Sequence, residues 1–373
     1  MNAAVYPNYF LKTNQNNSLE LMHLKKSTIA GIGMYVPQNV VTNTDLLKHM
    51  DTTDEWIQQR TGIKERRYAD RFGETTTTMG TAAAKMAIED AGIKKEDIDF
   101  IIFDTLSPDY YFPGCGVLLQ RDLGLAGIGA LDVRNQCSGF IYALSIADQF
   151  IRTGTYKNIL VVGAEKHSFA IDFSTRGRTV GVMFGDGAGA VILQPSSNEG
   201  QGILSVHLHS DGNGAEALAF CNPGTHSNHW VKEPVAEYDE QDWFGNQYIS
   251  HKMIDNAQIF AQMDGNAVMK RAITYLPVVI NEGLTANGLV VDDINMLILN
   301  QSNARIAEYV QQKLGLTDDE IYINIQRYGN TTAASIPIAM FEAVKDNKLK
   351  RGDLLCLASY GSGFTWASAI IRF

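Results

Sequence analysis

The stretch "AIEDAGIKKEDIDFIIFD" at positions 87–104 decides the fold, because it lines up without a gap on "GLTANGLVVDDINMLILN" at 283–300. Ile88 falls opposite Leu284, Gly92 opposite Gly288 and Ile98 opposite Ile294, and the apolar run "FIIF" falls on "MLIL". Two more pairs follow in the same order. "GTYKNILVVGA" (154–164) matches "KRGDLLCLASY" (350–360), and "LDVRNQCSG" (131–139) sits opposite "INIQRYGNT" (323–331), each of these last a strand entering a helix. Any two helix–strand units look somewhat alike. Several pairs in one order at a nearly constant offset indicate a duplicated chain.

Working outward, further strand-like runs such as "STIAGIGMYV", "AGAVILQ" and "ASAIIRF" alternate with helical stretches such as "TTTTMGTAAAKMAIEDAGI" and "SGFIYALSIADQFIRTG". That alternation predicts an α/β fold with buried sheets. The halves are expected at 25–200 and 201–373, the second carrying an extended loop at about 213–262. Residues 1–24 lack an apolar core and a small-residue cleavage site, so they are expected as a loose extension and not a secretory signal, with Met22 an alternative start. Two such halves pack about a pseudo-dyad, and equivalent strand–helix junctions then converge. The repeat therefore predicts a meeting of Cys137, Asn330 and Asn300.

The bulk properties exclude several classes. A formal charge of −10 argues against a general nucleic-acid binder, which needs basic faces for phosphates. No apolar run approaches the roughly 20 residues that span a bilayer, so no membrane span is expected. Four cysteines, at 115, 137, 221 and 356, show no CxxC or zinc spacing, which fits a reducing cytoplasm and no bound metal. "GDGAGA" leads into the strand "AVILQ" instead of opening a helix, so it fails as a dinucleotide loop and is expected to serve close strand packing. "HSNH" (226–229) has no further ligands nearby and is expected as exposed loop histidines.

Cys137 stands where the strand "LDV" turns into a helix. The partial positive charge of a helix start would stabilise a thiolate and lower the thiol pKa. Taken alone, this leaves a nucleophile and a small structural cysteine both open.

The segment "DVRNQCSGFIYAL" resembles the active-site segment of the 3-oxoacyl-[acyl-carrier-protein] synthase III family, in the thiolase superfamily. The resemblance runs from about Lys25 to Phe373 through "GIGMYVPQNVVTN", "DTTDEWIQQRTGIKERR", "FGDGAGAVIL", "RYGNTTAASIPIA" and "SYGSGFTWASAIIRF". It implies a thiolase-like duplicated αβαβα five-layer fold and a homodimer. Cys137 matches the cysteine that takes the acyl group as a thioester. Asn330 matches the asparagine that hydrogen-bonds the extender thioester, and Gly363 matches the residue whose backbone N–H pairs with that of Cys137 as an oxyanion hole. Trp56 and Arg60 match positions holding the adenine end of coenzyme A, Arg178 the arginine on the other adenine face, and Asn303 a further coenzyme A position. Lys270 and Arg305 match basic positions that meet acidic acyl carrier protein or the coenzyme A phosphates. Phe112 corresponds to the residue closing the acyl tunnel of the partner subunit.

One position departs from the pattern. The family's third catalytic residue is a histidine opening a segment H-Q-A-N; here the segment is "NQSNARI" and the position is Asn300. An amide can donate a hydrogen bond but cannot accept and return a proton near neutral pH. Thioester formation on Cys137 should survive, while decarboxylative condensation should lose about a hundredfold or more. Ser302 also differs from the motif, which favours a natural departure over an introduced change. The function implied is condensation of an acyl group, taken from acyl-coenzyme A, with malonyl-acyl carrier protein in fatty-acid or related lipid or polyketide synthesis. Coenzyme A thioester enters as substrate, with no permanently bound cofactor. The alternatives are a non-condensing acyltransferase and an acyl-binding, catalytically weak subunit. The long aromatic-rich loop points to an acyl group other than acetyl, or to a dimer-surface decoration.

Overall fold

The computed structural model describes residues 9–13, 19–23, 25–224, 249 and 251–373. Its organisation follows from the period of two in the apolar strands. In Phe100–Asp104 and Ile159–Glu165, the side chains of Phe100, Ile102, Ile159 and Val161 enter a central layer, while Ile101, Phe103, Leu160, Val162 and Ala164 enter an outer one. Both faces are covered, which is why these strands are continuous apolar runs. Each fully buried Ile, Leu or Val contributes about 1.5–3 kcal/mol.

The N-terminal sheet has five strands in the spatial order Ser27–Tyr35, Gly187–Pro195, Ile159–Glu165, Phe100–Asp104, Gly129–Val133. The C-terminal sheet has four, in the order Gly202–Ser210, Thr365–Arg372, Leu354–Gly361, Met296–Leu299. Pairing runs antiparallel, antiparallel, then parallel in both. The register repeats too: Phe100 faces Ile159 as Met296 faces Leu355, each residue 196 positions from its counterpart (296 − 100 and 355 − 159). The fifth strand of the second sheet is reduced to one parallel bridge, Leu297 to Ile321.

Between the sheets lie the helices Gly139–Arg152 and Ser335–Lys345, whose apolar residues share one core with both sheets. Thr76–Asp90 and Cys115–Asp122 cover the outer face of the first sheet, and Gly265–Ala286 and Ala304–Leu314 that of the second. The layers are therefore αβαβα.

The predicted runs form strands except the one expected to open "INIQRYGNT", where only the bridge at Ile321 forms, and Gly202–Ser210, which the sequence did not single out, pairs on one side only. Its half-exposed, histidine-bearing pattern hides the alternation of a buried strand. The third repeat pair needs correction. The short helices Gln136–Ser138 and Thr332–Ala334 are the true equivalents, again 196 positions apart (332 − 136), so Cys137 faces Ala333 in the repeat. The cause is an inserted helical turn, Ile325–Tyr328, between the bridge at Ile321 and that bend. Within the segment expected as a loose extension, Tyr9–Thr13 pairs antiparallel with Leu19–His23 and joins neither large sheet. Gly185, Gly187 and Gly189 of "GDGAGA" pack closely against Tyr328, Ile338 and Pro337, as expected of close strand packing.

Candidate active site

The chain reaches Cys137 through a bend. Gln136 has φ 49°, a left-handed conformation that is uncommon outside glycine and strained by about 1–3 kcal/mol. Its repeat counterpart Thr332 has φ 47°, so both halves enter the central helix layer through the same strained turn. Hydrogen bonds from the opposite half hold the first turn: Ser359 Oγ donates to the Cys137 carbonyl at 2.6 Å, and the Ser138 and Thr365 hydroxyls lie 2.7 Å apart. Gly361 seats against Cys137. A Cβ there would stand 2.7 Å from Cys137 Cβ and 3.3 Å from Sγ, so no larger residue fits without displacing the Cys137 loop. Gly363 lies two residues on, at the tip between the last two strands, with φ 139°.

Asn330 is pinned at its backbone. Its N–H donates to Met183 O at 2.8 Å, and its carbonyl accepts from Gly185 N at 3.1 Å. Its side-chain Oδ1 accepts from Thr332 N at 2.9 Å, and the Thr332 hydroxyl is hydrogen-bonded to the Cys137 thiol. Asn300, at the end of Met296–Leu299, is buried with its N–H on Ala358 O at 3.0 Å. Its Oδ1 accepts from Ser335 Oγ at 2.5 Å, and Ser335 Oγ also reaches Thr332 O at 3.0 Å. Among the described residues nothing accepts from Asn300 Nδ2, leaving a buried N–H donor for a ligand oxygen. One network thus joins Cys137, Asn330 and Asn300.

Ser335 was not foreseen, although the repeat places it opposite Gly139, just as Asn300 faces Asp104. Gly139 has no room for a side chain because its Cβ would lie 2.2 Å from the Asp104 carboxyl. Where one half has an amide and a hydroxyl, the other has a buried acid against bare backbone.

That acid changes the electrostatics. Burial, and then the neighbouring Glu165, holds Asp104 well above the usual carboxylate range. Burial pushes Glu165 up to about 7, against hydrogen bonds from Ser107, Leu106 and Thr105 that favour the carboxylate. The Cys137 thiol is pushed up to about 12, first by burial and then by Glu165 and Asp104. The expected lowering of the thiol pKa is therefore corrected: desolvation opposes and outweighs the helix start. The same balance yields a stability prediction. Because Glu165 titrates at about 7 when folded and ordinarily at 4.5, its contribution is complete below pH about 4.5. It is lost as pH rises through about 7, amounting to about 3 kcal/mol. In denaturant titrations, wild type should lose more stability between about pH 5 and about pH 8 than Glu165→Gln.

The residues expected to hold coenzyme A cluster around Trp56. The Arg60 guanidinium lies 4.6 Å and that of Arg178 5.4 Å from the Trp56 ring centre. Arg178 Nη1 also donates to Asp51 O at 2.6 Å. Asn303 caps Ala304–Leu314 by accepting from Arg305 N and donates to Arg60 O at 3.0 Å, tying this helix to the Trp56 cluster. Arg305 and Lys270 are exposed, and Lys270 lines a shallow groove of about 580 Å³ with Tyr309 and Lys313 that shares no residue with the Cys137 network. Phe112 is 81% exposed beside the exposed Tyr110 and Tyr111. Half of the loop at 213–262, residues 225–248 and 250, including His226 and His229, lies outside the described residues. No group of three or more His, Cys, Asp or Glu is arranged to hold a metal among the described residues, and none of their helices is long and apolar enough to cross a membrane.

Comparison with known proteins bears directly on this geometry. Family models described as 3-oxoacyl-[acyl-carrier-protein (ACP)] synthase III and its C terminal match residues 131–212 and 284–373. A beta-ketoacyl-[acyl-carrier-protein] synthase III of Xanthomonas campestris pv. campestris is 43% identical over 348 residues, 93% of this chain and 98% of the relative. The crystal structure of 3-oxoacyl-[acyl-carrier-protein] synthase III from Aquifex aeolicus superposes with TM-score 0.80 at 40% identity, covering 93% of this chain and all of that one. The synthase III of Thermus thermophilus gives TM-score 0.81 at 34% identity, covering 93% of this chain and 99% of its own.

Proposed function

The chain belongs to the 3-oxoacyl-[acyl-carrier-protein] synthase III family of the thiolase superfamily and is a condensing acyltransferase with the thiolase-like duplicated fold, and from that premise we propose the following reaction. Cys137 takes an acyl group from acyl-coenzyme A, and the enzyme joins that group to a malonyl unit on acyl carrier protein. The single observation that carries this reading is the hydrogen-bonded network linking the buried Cys137 thiol to two buried asparagines, one with an unpaired N–H donor.

In the first step the coenzyme A adenine enters between Trp56 and Arg178, with Arg60 and Asn303 fixing that end of the site. Cys137 Sγ attacks the thioester carbon. The oxyanion receives N–H donors from Cys137 and from Gly363 in the turn at 361–363, and coenzyme A departs as its thiol. In the second step Lys270 and Arg305 attract the acidic carrier protein, consistent with the groove that Lys270 and Lys313 line. The malonyl thioester carbonyl accepts hydrogen bonds from Asn330 and from Asn300 Nδ2. Loss of carbon dioxide leaves an enolate, which attacks the acyl carbon and expels the Cys137 thiolate. The product is a 3-oxoacyl thioester, formed in fatty-acid or related synthesis in the cytoplasm.

Asn300 serves as a donor without titrating, and Ser335 Oγ fixes its orientation by occupying Oδ1. Phe112, with Tyr110 and Tyr111, forms an exposed aromatic cluster suited to insertion into the second subunit of a homodimer.

Release of carbon dioxide from malonyl-acyl carrier protein, measured with and without acyl-coenzyme A, tests the reaction. Acyl-dependent release, with a 3-oxoacyl product of matching amount, is expected. Acyl transfer without release would contradict the condensing reading and leave the non-condensing acyltransferase. Neither transfer nor release would leave the acyl-binding subunit.

A further inference from the structure

The reaction above needs a group to take the Cys137 proton, and Asn300 cannot do so. His167 follows the strand Ile159–Glu165 and is only 8% exposed, packed 4.6 Å from the Phe184 ring. Its Nε2 lies 2.9 Å from Thr332 Oγ1, and that hydroxyl is hydrogen-bonded to the Cys137 thiol. A continuous path therefore runs from sulfur through one hydroxyl to an imidazole.

Thr332 is a β-branched residue held at φ 47°, a conformation this residue type rarely adopts. The strain is sustained by Asn330 Oδ1 on its N–H and by Ser335 on its carbonyl, and it aims the hydroxyl between Cys137 and His167. The groups facing this path are Glu165, Asp104 and Asp186, which binds the backbone around His167 and Ser168. Lys166, the adjacent cation, turns away to the carbonyls of Asp70 and Glu74.

We propose that His167 is the proton-handling group for Cys137, acting through the Thr332 hydroxyl as a positioning pair. The proposal rests on Cys137 being the acyl acceptor, as argued above. As Sγ bonds to the acyl carbon, its proton passes to Thr332 Oγ1 and the threonine proton moves to His167 Nε2. When the bond from that carbon to the coenzyme A sulfur breaks, the proton returns by the same path to the leaving sulfur, and the imidazole is again neutral. Burial pushes His167 down to about 3, so the ring rests neutral and hands the proton back as soon as the coenzyme A sulfur leaves; with the ring proton on Nδ1, Nε2 is the atom that accepts from the Thr332 hydroxyl.

Alkylation of Cys137 by iodoacetamide across pH, alongside acylation by acyl-coenzyme A, tests this. His167→Gln and Thr332→Val should each slow both reactions by about a hundredfold and move the alkylation profile to higher pH. The double variant should be no slower than either single one, and Thr332→Ser should recover most of the rate lost in Thr332→Val. Wild-type rates and an unmoved profile in His167→Gln would overturn the proposal. So would losses that multiply in the double variant. Because alkylation needs no acyl donor, a His167-dependent profile in a protein that accepts no acyl group would contradict the proposed function and leave the relay standing. Circular dichroism confirms folding, and the comparison of Thr332→Val with Thr332→Ser stands independently of His167→Gln.

Discussion

Cys137→Ala should gain no acyl mass on incubation with acyl-coenzyme A, where wild type gains one acyl group per chain. The expectation follows from the position of the thiol. Cys137 is the cysteine at the strained bend, clamped from the other half by Ser359 and seated against Gly361. Cys115 and Cys356 are also buried, but they lie within the outer-layer cores, away from both asparagines. Burial pushes their thiols up to about 11 and about 12. Cys137 carries a similar burden, about 12, so its reactivity must come from the groups that meet its proton and the oxyanion. The alanine variant should keep its stability to within about 1–2 kcal/mol, because a small side chain is replaced by a smaller one that the loop accommodates. Intact-protein mass spectrometry with short and long acyl donors reads the result.

Asn300→Ala should separate the two halves of the reaction. Removing a donor aimed at developing negative charge typically lowers the rate by 10²–10³, about 2.7–4 kcal/mol. That loss is expected in carbon dioxide release from malonyl-acyl carrier protein, whereas acylation of Cys137 should change only a few-fold. Asn300 Nδ2 is the unpaired donor, and Ser335 Oγ holds the other end of the amide. Asn300→His can accept from Ser335 with one ring nitrogen and donate with the other. It should therefore condense far faster than Asn300→Ala, which distinguishes a lost hydrogen bond from lost volume. Equal loss of acylation and condensation in Asn300→Ala would show that the residue supports the whole pocket and is no specific donor.

The fold was legible because duplication leaves a measurable interval. The spacing that pairs Ile88 with Leu284 also pairs the strand registers, the strained bends at Gln136 and Thr332, and the helix starts at Gly139 and Ser335. The interval slipped only where the second half inserts Ile325–Tyr328, since an apolar pattern alone does not reveal where an extra turn begins. Asn300 and Cys137 were legible at the ends of repeated strands, but Asn330 was reached through a pair four residues out of register, since the counterpart of Cys137 is Ala333. His167 was not. Its partner Thr332 lies 165 residues away, and a lone histidine after a strand carries no signal of that contact. The thiol's environment was hidden for the same reason. A helix start is visible in local sequence, but the burial and the two carboxyls that outweigh it come from distant strands.

The most direct test of the account is peptide mapping of the protein after a brief incubation with acyl-coenzyme A. A hydroxylamine-labile acyl mass is expected on the peptide containing Cys137, discharged when malonyl-acyl carrier protein is added, with carbon dioxide released in equal amount. An acyl mass on another residue, or a Cys137 acyl group that malonyl-acyl carrier protein leaves in place, would contradict it.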